Sequence, residues 1–404
     1  MSSAETLASA DIAVVGAGAA GLCTAWELRR RGFTVAVVEQ RFPTYGSSGR
    51  NPGCLWIQTR RVGLELALAR AGRAKYDDFA AEFGDVFDYR REGGLFFWET
   101  EEQGAIMDDY ARDRRAAGVE VEVLTHTQAR EHTPILPATA IGAVFCAEDA
   151  QIDSLGFITA MESACTRAGV QIFRNTTALT TLREGDHAVG VRTVRGVVRA
   201  SGVVWATGAW ASTLKDEGLE VSMSTTRVGQ MMMQPVEAQS GGILHGPRGV
   251  DGCGALADLP SFEASRFAPP ISSRPIADGV AYDDTMALNR GGSLYVGHSI
   301  DGRGSLNPHI SLESTELMVA AGRDRYPRYS GMGVMGLWAG LGTETADGLP
   351  IVGRDDGAYL NVAHAWGVAS APVCAQVLAE LITGEDSEFA EGLSPQRAAL
   401  TRDS

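Results

Sequence analysis

The chain has 404 residues, 45% of them hydrophobic and 21% charged, which is enough for two domains that each bury a core. Its formal net charge of −15 argues against binding to nucleic acid or to an anionic membrane surface. No apolar run is long enough to span a bilayer, the first residues lack a signal-peptide pattern, and the cysteines form no C-x-x-C pair. We therefore expect a cytoplasmic globular protein with reduced thiols and no metal site.

The chain begins with a strand–helix–strand pattern. Residues 11–16, DIAVVG, predict a strand, and AAGLCTAWELRRRG predicts a helix with Leu22, Ala25 and Leu28 on one face and Gly32 as its stop. FTVAVVEQ predicts a second strand. Two strands joined through a helix in this way indicate a buried parallel sheet.

Further along the chain, helical and strand patterns alternate. Residues 64–83 predict an amphipathic helix, and the middle section changes to strands at EGGLFFWET, TTRVGQMMMQPV and TMALNRGGSLYVGHS. Between these, residues 154–168 predict a helix, VQIFRNTTAL a strand, and HAVGVRTVRGVVRA a hairpin that leads into GVVWATGAW. AYLNVA predicts a late strand, and SAPVCAQVLAELITG a final helix. The simplest assembly is one α/β domain in three segments, interrupted twice by a mainly antiparallel domain.

A glycine-rich turn lies between the first strand and its helix. Gly16, Gly18 and Gly21 form the pattern G-x-G-x-x-G, in which the glycines allow a tight turn, close approach to a pyrophosphate, and packing of the helix on the strand. The N-terminus of the helix, at Ala19, offers unpaired N–H groups to phosphates. Glu39 ends the second strand, where a carboxylate accepts hydrogen bonds from both ribose hydroxyls. This arrangement predicts an adenine dinucleotide without a 2′-phosphate.

The segment after Glu39 distinguishes NAD from FAD. An NAD enzyme would continue with another strand–helix pair, whereas RFPTYGSSGRNPG is a non-helical loop rich in donors and small residues. Such a loop suits a long dinucleotide that lies extended along the protein. The sequence therefore favours FAD.

Several segments resemble the D-amino-acid oxidase (DAO) superfamily of flavoproteins, and most of all its sarcosine oxidase and glycine oxidase branch. They are the first 30 residues of the βαβ unit, GSSGRN, VVWATGAWAS and GLWAGLGTETADGLPIVG, so that the likeness covers nearly the whole chain. The resemblance implies an α/β (α+β) fold with a discontinuous Rossmann-like FAD-binding domain at 1–83, 150–220 and 330–404. It also implies a mainly antiparallel substrate-binding domain at 84–149 and 221–329, whose sheet covers the flavin.

The resemblance assigns cofactor contacts to separate parts of the chain. Residues 47–51 would donate hydrogen bonds to the phosphates and the flavin ring, and Ala178 would bracket the adenine. Thr207 would lie beside the dinucleotide, and Gly367 would precede a helix that begins near Ser370 and stabilises negative charge on the flavin. The predicted cofactor-binding residues are Gly16, Gly18, Ala19, Gly21, Glu39, Gln40, Ser47, Ser48, Arg50, Asn51, Ala178, Thr207, Gly208, Gly340, Gly367 and Val368.

Two departures from these relatives concern the flavin. Some relatives attach FAD covalently through a cysteine, but Gly340 stands at that position, so we expect FAD to be bound non-covalently. Sarcosine-type oxidases place a lysine over the flavin to promote reaction with oxygen, and Tyr295 stands there instead. No lysine follows Lys215, so the cation would come from His298 or an arginine, or be absent. A dehydrogenase that passes electrons to another acceptor therefore becomes a strong alternative to an oxidase.

The substrate side also departs from the family. Where relatives hold a substrate carboxylate with an arginine and a lysine, this chain has Trp56 and Ala369. The candidate replacements are Arg60, Arg61, Arg227 and Arg290, since a guanidinium pairs bidentately with a carboxylate. Alternatively, Trp56, Trp338 and Trp366 wall an aromatic pocket for a larger or less charged amine.

Tyr295, His298 and Arg60 are the candidate catalytic residues, with His364 as an additional one. Regular strand alternation would place only one of Tyr295 and His298 on the flavin side.

The leading hypothesis is an FAD-dependent enzyme that oxidises the CH–NH bond of a secondary amine or D-amino acid to an imine. The alternatives are oxidation of a 2-hydroxy acid or similar CH–OH substrate, or a flavin monooxygenase. The expected partners are a small-molecule amine or amino acid and oxygen or another electron acceptor. The sequence leaves the substrate, the acceptor and the oligomeric state or partner subunit open.

Overall fold

The computed structural model describes residues 5–219, 221–237, 241–267 and 279–401. Within these ranges the chain forms two eight-stranded sheets and one two-stranded sheet. The strands are β1 (Thr6–Val15), β2 (Val35–Val38), β3 (Cys54–Leu55), β4 (Gly94–Trp98), β5 (Val121–Thr125), β6 (Gly142–Cys146), β7 (Ala150–Gln151), β8 (Gln171–Phe173), β9 (Ala178–Glu184), β10 (His187–Thr193), β11 (Gly196–Trp205), β12 (Ser224–Pro235), β13 (Ile243–His245), β14 (Ala281–Leu288), β15 (Ser293–Asp301), β16 (Val334–Glu344), β17 (Ile351–Asp355) and β18 (Ala358–Val362).

The helices pack on the sheets and connect their strands. They are α1 (Ala19–Arg30), α2 (Leu64–Phe83), α3 (Glu101–Ala116), α4 (His126–His132), α5 (Ser154–Arg167), α6 (Gly254–Ala257), α7 (Leu312–Arg325), α8 (Gly367–Thr383), α9 (Ala390–Leu393) and α10 (Ala398–Thr401).

The first large sheet has the order β17-β18-β11-β1-β2-β8, with β9 and β10 added beside β11. Strands β18, β11, β1, β2 and β8 run parallel, whereas β17, β10 and β9 pair antiparallel with their neighbours. Every residue of β2 is buried, as expected for a strand in a parallel sheet covered on both faces. Leu22, Ala25 and Leu28 of α1 are fully buried in the core that this helix shares with α5 and α8. The predicted βαβ unit is confirmed.

The second large sheet has the order β16-β12-β15-β14-β13-β4-β6-β5 and is antiparallel except for the pair β13–β4. One of its faces packs on α7 through Met231, Val296 and Met318. On the opposite face, Ile243 and Ala287 form a small apolar cluster with Trp56, Cys54 and Tyr295. This face therefore meets the segment that follows the loop at residues 41–53.

A β-bulge in β15 decides which side chains reach that face. Gln230 of β12 pairs with His298 and Met232 pairs with Tyr295. An advance of two residues along β12 therefore corresponds to three residues along β15. Gly297, between them, has φ +58°, a left-handed conformation that suits glycine. The extra residue places Tyr295 and His298 on the same face, and the expectation that only one of them faces the flavin side is wrong.

Some helices and strands begin or end at residues other than those predicted from the sequence. VQIFRNTTAL is not one strand, because the chain breaks between β8 and β9, with Asn175 at φ +51°. Helix α8 begins at Gly367 rather than near Ser370. Helices α3 and α7 lie in the section where only strands were predicted. Thr100 and Ser311, whose hydroxyls accept N–H bonds of the first turn, are the capping signals that mark them in the sequence.

The division into two domains stays a prediction. The strands of the first sheet come from residues 6–38, 171–205 and 351–362, which lie within the segments predicted for FAD binding. Strand β16 lies within the predicted segment 330–404 but pairs with β12 of the second sheet along its whole length.

Candidate active site

A pocket begins at the carboxyl ends of β1, β2 and β11 and continues toward β16 and the start of α8. The carboxyl ends of parallel strands are where ligands bind in sheets of this kind. The predicted cofactor residues that line the pocket are Gly16, Gly18, Ala19, Glu39, Gln40, Ser47, Ser48, Ala178, Thr207, Gly208 and Gly367. The predicted residues outside its lining are Gly21, Arg50, Asn51, Gly340 and Val368.

The turn from β1 into α1 leaves no room for side chains. Gly16 has φ +105°, and a Cβ on it would lie 2.4 Å from the carbonyl oxygen of Ala206. A Cβ on Gly21 would lie 1.9 Å from the carbonyl oxygen of Gly16. Gly21 therefore acts within the turn, which it allows to close, rather than on the pocket wall.

Glu39 at the end of β2 holds the same turn from the other side. One carboxylate oxygen accepts the N–H of Ala17 at 2.9 Å, and the other accepts the N–H of Arg41 at 2.8 Å. Burial raises the pKa of this carboxyl, and the two N–H groups act in the opposite direction. Because each oxygen has a second lone pair, Glu39 keeps acceptor capacity for a ligand in the pocket.

Two serines of the loop connect the pocket to both sheets. The Ser48 hydroxyl accepts the N–H of Ala19 at 3.0 Å, in the first turn of α1. The Ser47 hydroxyl accepts the N–H of Leu341 at 3.1 Å and donates to the carbonyl oxygen of the same residue. The loop is therefore tied to α1 at one serine and to β16 at the next.

Arg50 and Asn51 make their hydrogen bonds within the protein. Arg50 donates to the carbonyl oxygen of Ala339 at 2.8 Å, and its guanidinium lies 5.7 Å from the ring centre of Tyr45. Asn51 donates to the carbonyl oxygens of Ser47 and Ser48 at 3.1 and 3.2 Å. These two residues shape the loop, and their predicted contacts with the cofactor stay predictions.

Thr207 has a polar atom that the protein leaves unsatisfied. Its hydroxyl oxygen is buried, has no hydrogen-bond partner among the described residues, and belongs to a residue that lines the pocket. Buried polar atoms in proteins are rarely left without a partner, so this one fits a ligand group. Tyr45 and Trp210 also line the pocket, with stacked rings 5.9 Å apart. Neither residue was predicted from the sequence, although Trp210 belongs to the segment VVWATGAWAS that resembles the family.

The far end of the pocket lies between Leu341 and the N-terminus of α8. The first turn of α8 carries no acidic residue, so its unpaired N–H groups and positive end are not offset there. Val368 points away from the pocket, into the core, and its carbonyl accepts the Tyr76 hydroxyl at 2.5 Å. A Cβ on Gly340 would lie 3.5 Å from both Ser47 and Arg50, so this strand packs closely on the loop.

His364 lines the pocket but has no free ring nitrogen. Its Nδ1 lies 2.9 Å from the Ser370 hydroxyl and its Nε2 lies 2.9 Å from Oδ1 of Asn361. Burial lowers its pKa to about 4, so the ring is neutral at physiological pH. His364 is therefore a structural part of the pocket wall.

A row of four cross-strand neighbours crosses the second sheet beside this end of the pocket. Trp338, Gln230, His298 and Asp283 pair with one another in that order across β16, β12, β15 and β14. The Trp338 indole donates to the carbonyl oxygen of Arg50 at 3.0 Å, so the row faces the loop. We call these four residues the polar row.

Tyr295 lies on the same face as the polar row. Its ring centre is 6.2 Å from that of Trp338, in an edge-to-face arrangement. Burial raises the pKa of its hydroxyl to about 12, so Tyr295 is uncharged at neutral pH. It supplies no cation where relatives are expected to carry lysine.

Three of the four candidate arginines are paired with carboxylates of the protein. Arg227 forms two hydrogen bonds to Asp301, at 2.7 and 2.6 Å. Arg61 pairs with Asp258 at 2.8 Å, and Arg290 is an exposed residue 3.2 Å from Asp85. None of the four candidate arginines, Arg60 included, lines the pocket.

Arg60 is the remaining candidate. It is buried, its guanidinium lies 4.5 Å from the ring centre of Trp366, and its Nε donates to the carbonyl oxygen of Trp56 at 3.2 Å. Its nearest carboxylate oxygen, on Glu65, is 3.6 Å away. Burial lowers its pKa, and Glu65 opposes that effect. Its guanidinium is thus less tightly paired than the other three.

The candidate tryptophans surround this region. Trp56 packs with Ile243 and Ala287, Trp338 contacts Tyr295, and Trp366 stacks on Arg60. Ala369 is buried, and a Cβ on Gly72 of α2 would lie 2.0 Å from its carbonyl oxygen. Ala369 therefore serves the close packing of α2 on α8.

The pocket has the features that an adenine dinucleotide needs. It offers a glycine turn at a helix N-terminus, a carboxylate with spare acceptor capacity, a second helix N-terminus at the far end, and the unsatisfied hydroxyl of Thr207. The residues present therefore fit FAD.

Among the described residues, none of the helices combines the length and the apolar character that a membrane span needs. Within the same residues, no group of three histidine, cysteine or acidic side chains has an arrangement that could hold a metal ion.

Comparison with known proteins agrees with the fold and the pocket. A family model described as FAD dependent oxidoreductase (DAO) matches residues 11–381. A glycine oxidase of Pseudomonas aeruginosa is 26% identical over 397 residues, which cover 94% of this chain and 96% of that protein. The bifunctional protein ThiO/ThiG of a Nostoc species is 24% identical over 396 residues, which cover 94% of this chain and 53% of that protein. The chain thus spans about half the length of this second relative.

The crystal structure of glycine oxidase from Geobacillus kaustophilus has a similar fold. It superposes with a TM-score of 0.81 at 21% identity, covering 96% of this chain and 99% of that one. The family match spans most of the chain and confirms the predicted superfamily, its α/β fold and its flavin cofactor. This protein belongs to the DAO family of FAD-dependent oxidoreductases.

Proposed function

We propose that this FAD-dependent oxidoreductase oxidises the CH–NH bond of an amine or amino acid to an imine. One observation carries the proposal: the loop that lines the far end of the FAD pocket through Ser47 also contacts Trp338, on the sheet face that presents Tyr295 and His298, although neither of these two residues lines the pocket itself. The full-length likeness to glycine oxidase supports an amine or amino acid as substrate. A 2-hydroxy acid or a monooxygenase reaction has less support, because glycine oxidases match this chain in sequence over nearly its whole length.

Separate groups of the pocket would hold the two halves of FAD. Glu39 would accept hydrogen bonds from the ribose hydroxyls, and the N-terminus of α1 would bind the phosphates. Thr207 would satisfy its buried hydroxyl on the cofactor. The positive end of α8 would lie toward the flavin. FAD is bound non-covalently, because Gly340 has no side chain and no cysteine lines the described part of the pocket.

When bound, FAD accepts a hydride from the substrate carbon next to the amine nitrogen. The protein provides the environment for this transfer. Trp56, Trp338 and Tyr295 form an apolar wall that excludes water from the substrate side. Arg60 is the group on this side best placed to pair with a substrate carboxylate, since its guanidinium is the least tightly bound to a protein carboxylate.

We further propose that the electron acceptor is not oxygen alone. Tyr295 is uncharged at neutral pH, no lysine follows Lys215 in the sequence, and the cation near Tyr295, Arg90, is paired with Asp88 at 3.1 Å. A cation beside the flavin favours electron transfer to oxygen, because it stabilises the negative charge that develops on oxygen. Its lack at Tyr295 favours a dehydrogenase that passes electrons to another acceptor.

The proposal is tested on the purified yellow holoenzyme. We expect secondary amines or amino acids to bleach the flavin absorbance under anaerobic conditions, and 2-hydroxy acids to leave it unchanged. Bleaching by a hydroxy acid and by no amine would overturn the substrate assignment. Turnover with an artificial dye should exceed turnover with oxygen, and fast peroxide production would contradict the dehydrogenase assignment.

A further inference from the structure

The polar row contains a histidine whose surroundings suit a role in the reaction; this inference rests on the proposed function. His298 stands between two acceptors of its own row: Oδ1 of Asp283 lies 3.6 Å from its Nδ1, and Gln230 is its cross-strand neighbour on the other side. His298 Nδ1 and Gln230 Oε1 are both buried without a hydrogen-bond partner in the described structure. The carboxylate oxygen beside Nδ1 favours the tautomer that carries its proton on Nδ1.

The other nitrogen of His298 is directed to open space. The side chain is 19% exposed and its Nδ1 is fully buried, whereas Nε2 is not one of the buried atoms without a partner among the described residues. Among the described residues, Nε2 makes no hydrogen bond. With the proton on Nδ1, this Nε2 presents a free lone pair on the face that adjoins the pocket.

The net charge of the cluster formed by His298, Asp283 and His245 depends on His245. Its Nδ1 lies 2.8 Å from the carbonyl oxygen of Gly246, and its Nε2 lies 3.4 Å from Oδ2 of Asp283. Nε2 also lies 3.4 Å from Sγ of Cys253, so this nitrogen faces both a carboxylate and a thiol. Although burial opposes the charged ring, Cys253 and Asp283 beside it raise its pKa well above the ordinary value. These contacts favour the doubly protonated ring of His245, whose charge would offset that of Asp283.

Asp283 remains ionised between the two histidines. Burial opposes its ionisation, but His298 and His245 outweigh that effect and hold the pKa of the carboxyl below its ordinary value. It also accepts the N–H of Thr285 at 2.7 Å. Asp283 thus places a carboxylate oxygen beside Nδ1 of His298, while Nε2 of that ring has no hydrogen-bond partner among the described residues. The titratable and charged groups around this cluster are Asp283, His245, Cys253, Tyr295, Cys54, Asp149 and Arg90.

We propose that His298 is the base that removes a proton from the substrate ammonium, with Asp283 and His245 as its positioning residues. Amines reach the enzyme mostly as ammonium ions at neutral pH, and a protonated nitrogen has no lone pair to assist loss of hydride. The Nε2 lone pair of His298 takes one N–H proton, and the freed nitrogen pair then forms the C=N bond as the hydride leaves carbon with two electrons for FAD. The imidazolium of His298 afterwards releases its proton to solvent.

The first test follows flavin reduction by an amine under anaerobic conditions across the pH range. In His298→Gln we expect the second-order rate constant to fall about 100-fold at neutral pH. The ratio of the wild-type rate constant to that of the variant should fall about tenfold for each pH unit above neutrality, because the fraction of free amine rises. Added imidazole should restore part of the rate. Unchanged reduction at neutral pH, or a deficit that does not depend on pH, would overturn the proposal.

A matched control separates this effect from loss of folding. His309 is an exposed histidine whose ring makes no hydrogen bond in the described structure, so His309→Gln should behave as the wild type. The flavin absorbance of each variant reports its FAD content before the kinetics are measured. If no amine bleaches the flavin of the wild-type enzyme, the proposed function is wrong. The role of His298 is contradicted instead if amines bleach the wild type and His298→Gln equally well.

A second readout does not depend on turnover. In the holoenzyme labelled with 15N-histidine, NMR should show His298 neutral with its proton on Nδ1, and His245 doubly protonated, at neutral pH. Asp283→Asn should remove the second proton of His245 and weaken the tautomer preference of His298. A doubly protonated His298 at neutral pH would contradict the proposal and favour a role in docking a carboxylate.

Discussion

The Ser48 hydroxyl accepts the N–H of Ala19 at 3.0 Å, so the loop over the pocket is fastened to the first turn of α1. Ser48→Ala should cost about 1 kcal/mol of stability, the usual effect of losing such a cap, and should weaken FAD binding about fivefold or more. The measurements are the unfolding free energy and the Kd for FAD from a fluorescence titration.

Ser163 provides the comparison for this variant, since it is an exposed serine of α5 outside the pocket. Ser163→Ala should leave the FAD affinity unchanged. Equal FAD affinity in Ser48→Ala and wild type would show that the bond to Ala19 does not shape the pocket.

Arg60→Lys should separate substrates with a carboxylate from those without one. Lysine keeps the charge but loses the planar group that stacks on Trp366 and binds a carboxylate in two places. We expect KM for amino acids to rise about tenfold, and KM for amines without a carboxylate to change less than about twofold. A similar rise for both classes in steady-state kinetics would place Arg60 in a structural role only.

Tyr295→Lys should change the preferred electron acceptor. A cation at this position would stabilise negative charge on oxygen, so peroxide production should rise about tenfold or more, measured with an oxygen electrode. Leu312→Lys adds the same charge at an 89% exposed site away from the polar row and should have no effect. Equal oxygen turnover in the two variants would remove the argument for a dehydrogenase.

Asp149 should give the stability of the protein a measurable pH dependence. Burial raises the pKa of its carboxyl to about 6, although the N–H groups of Ile57 and Gln58 lower it. The folded pKa lies above that of the unfolded chain, so this contribution to stability is fully present below about pH 4 and is lost as the pH rises through about 6.

Urea unfolding between pH 4 and 7 tests the direction of this pH dependence of stability. The difference in unfolding free energy between wild type and Asp149→Asn should decrease over that range. The exposed Asp216 is the control, and Asp216→Asn should give a constant difference. A difference that grows with pH would show that hydrogen bonding, rather than burial, dominates at Asp149.

The sequence predicts the FAD-binding side better than the substrate side, for a physical reason. The glycines, the apolar run of β2 and Glu39 act through neighbours close in the chain, so their pattern is visible locally. The partner of Arg227 is Asp301, 74 residues away, and only the fold brings the two together. The same holds for Asp283 and His245, which no motif singles out.

Strand geometry explains why Tyr295 and His298 were wrongly expected on opposite faces of the sheet. Alternation separates Tyr295 from His298, but one extra residue in β15 places them on the same face. A bulge depends on the pairing of two strands, and a single strand carries only the weak hint of Gly297. The early start of α8 and the break after β8 are errors of the same kind, because element limits are set by packing as well as by local preference.

Ser47 binds both the N–H and the carbonyl oxygen of Leu341 while it also lines the FAD pocket. One hydroxyl group therefore joins the cofactor's enclosure to the edge strand of the neighbouring sheet. A substitution at Ser47 will therefore disturb the wall of the cofactor pocket and the outermost strand of the second sheet together.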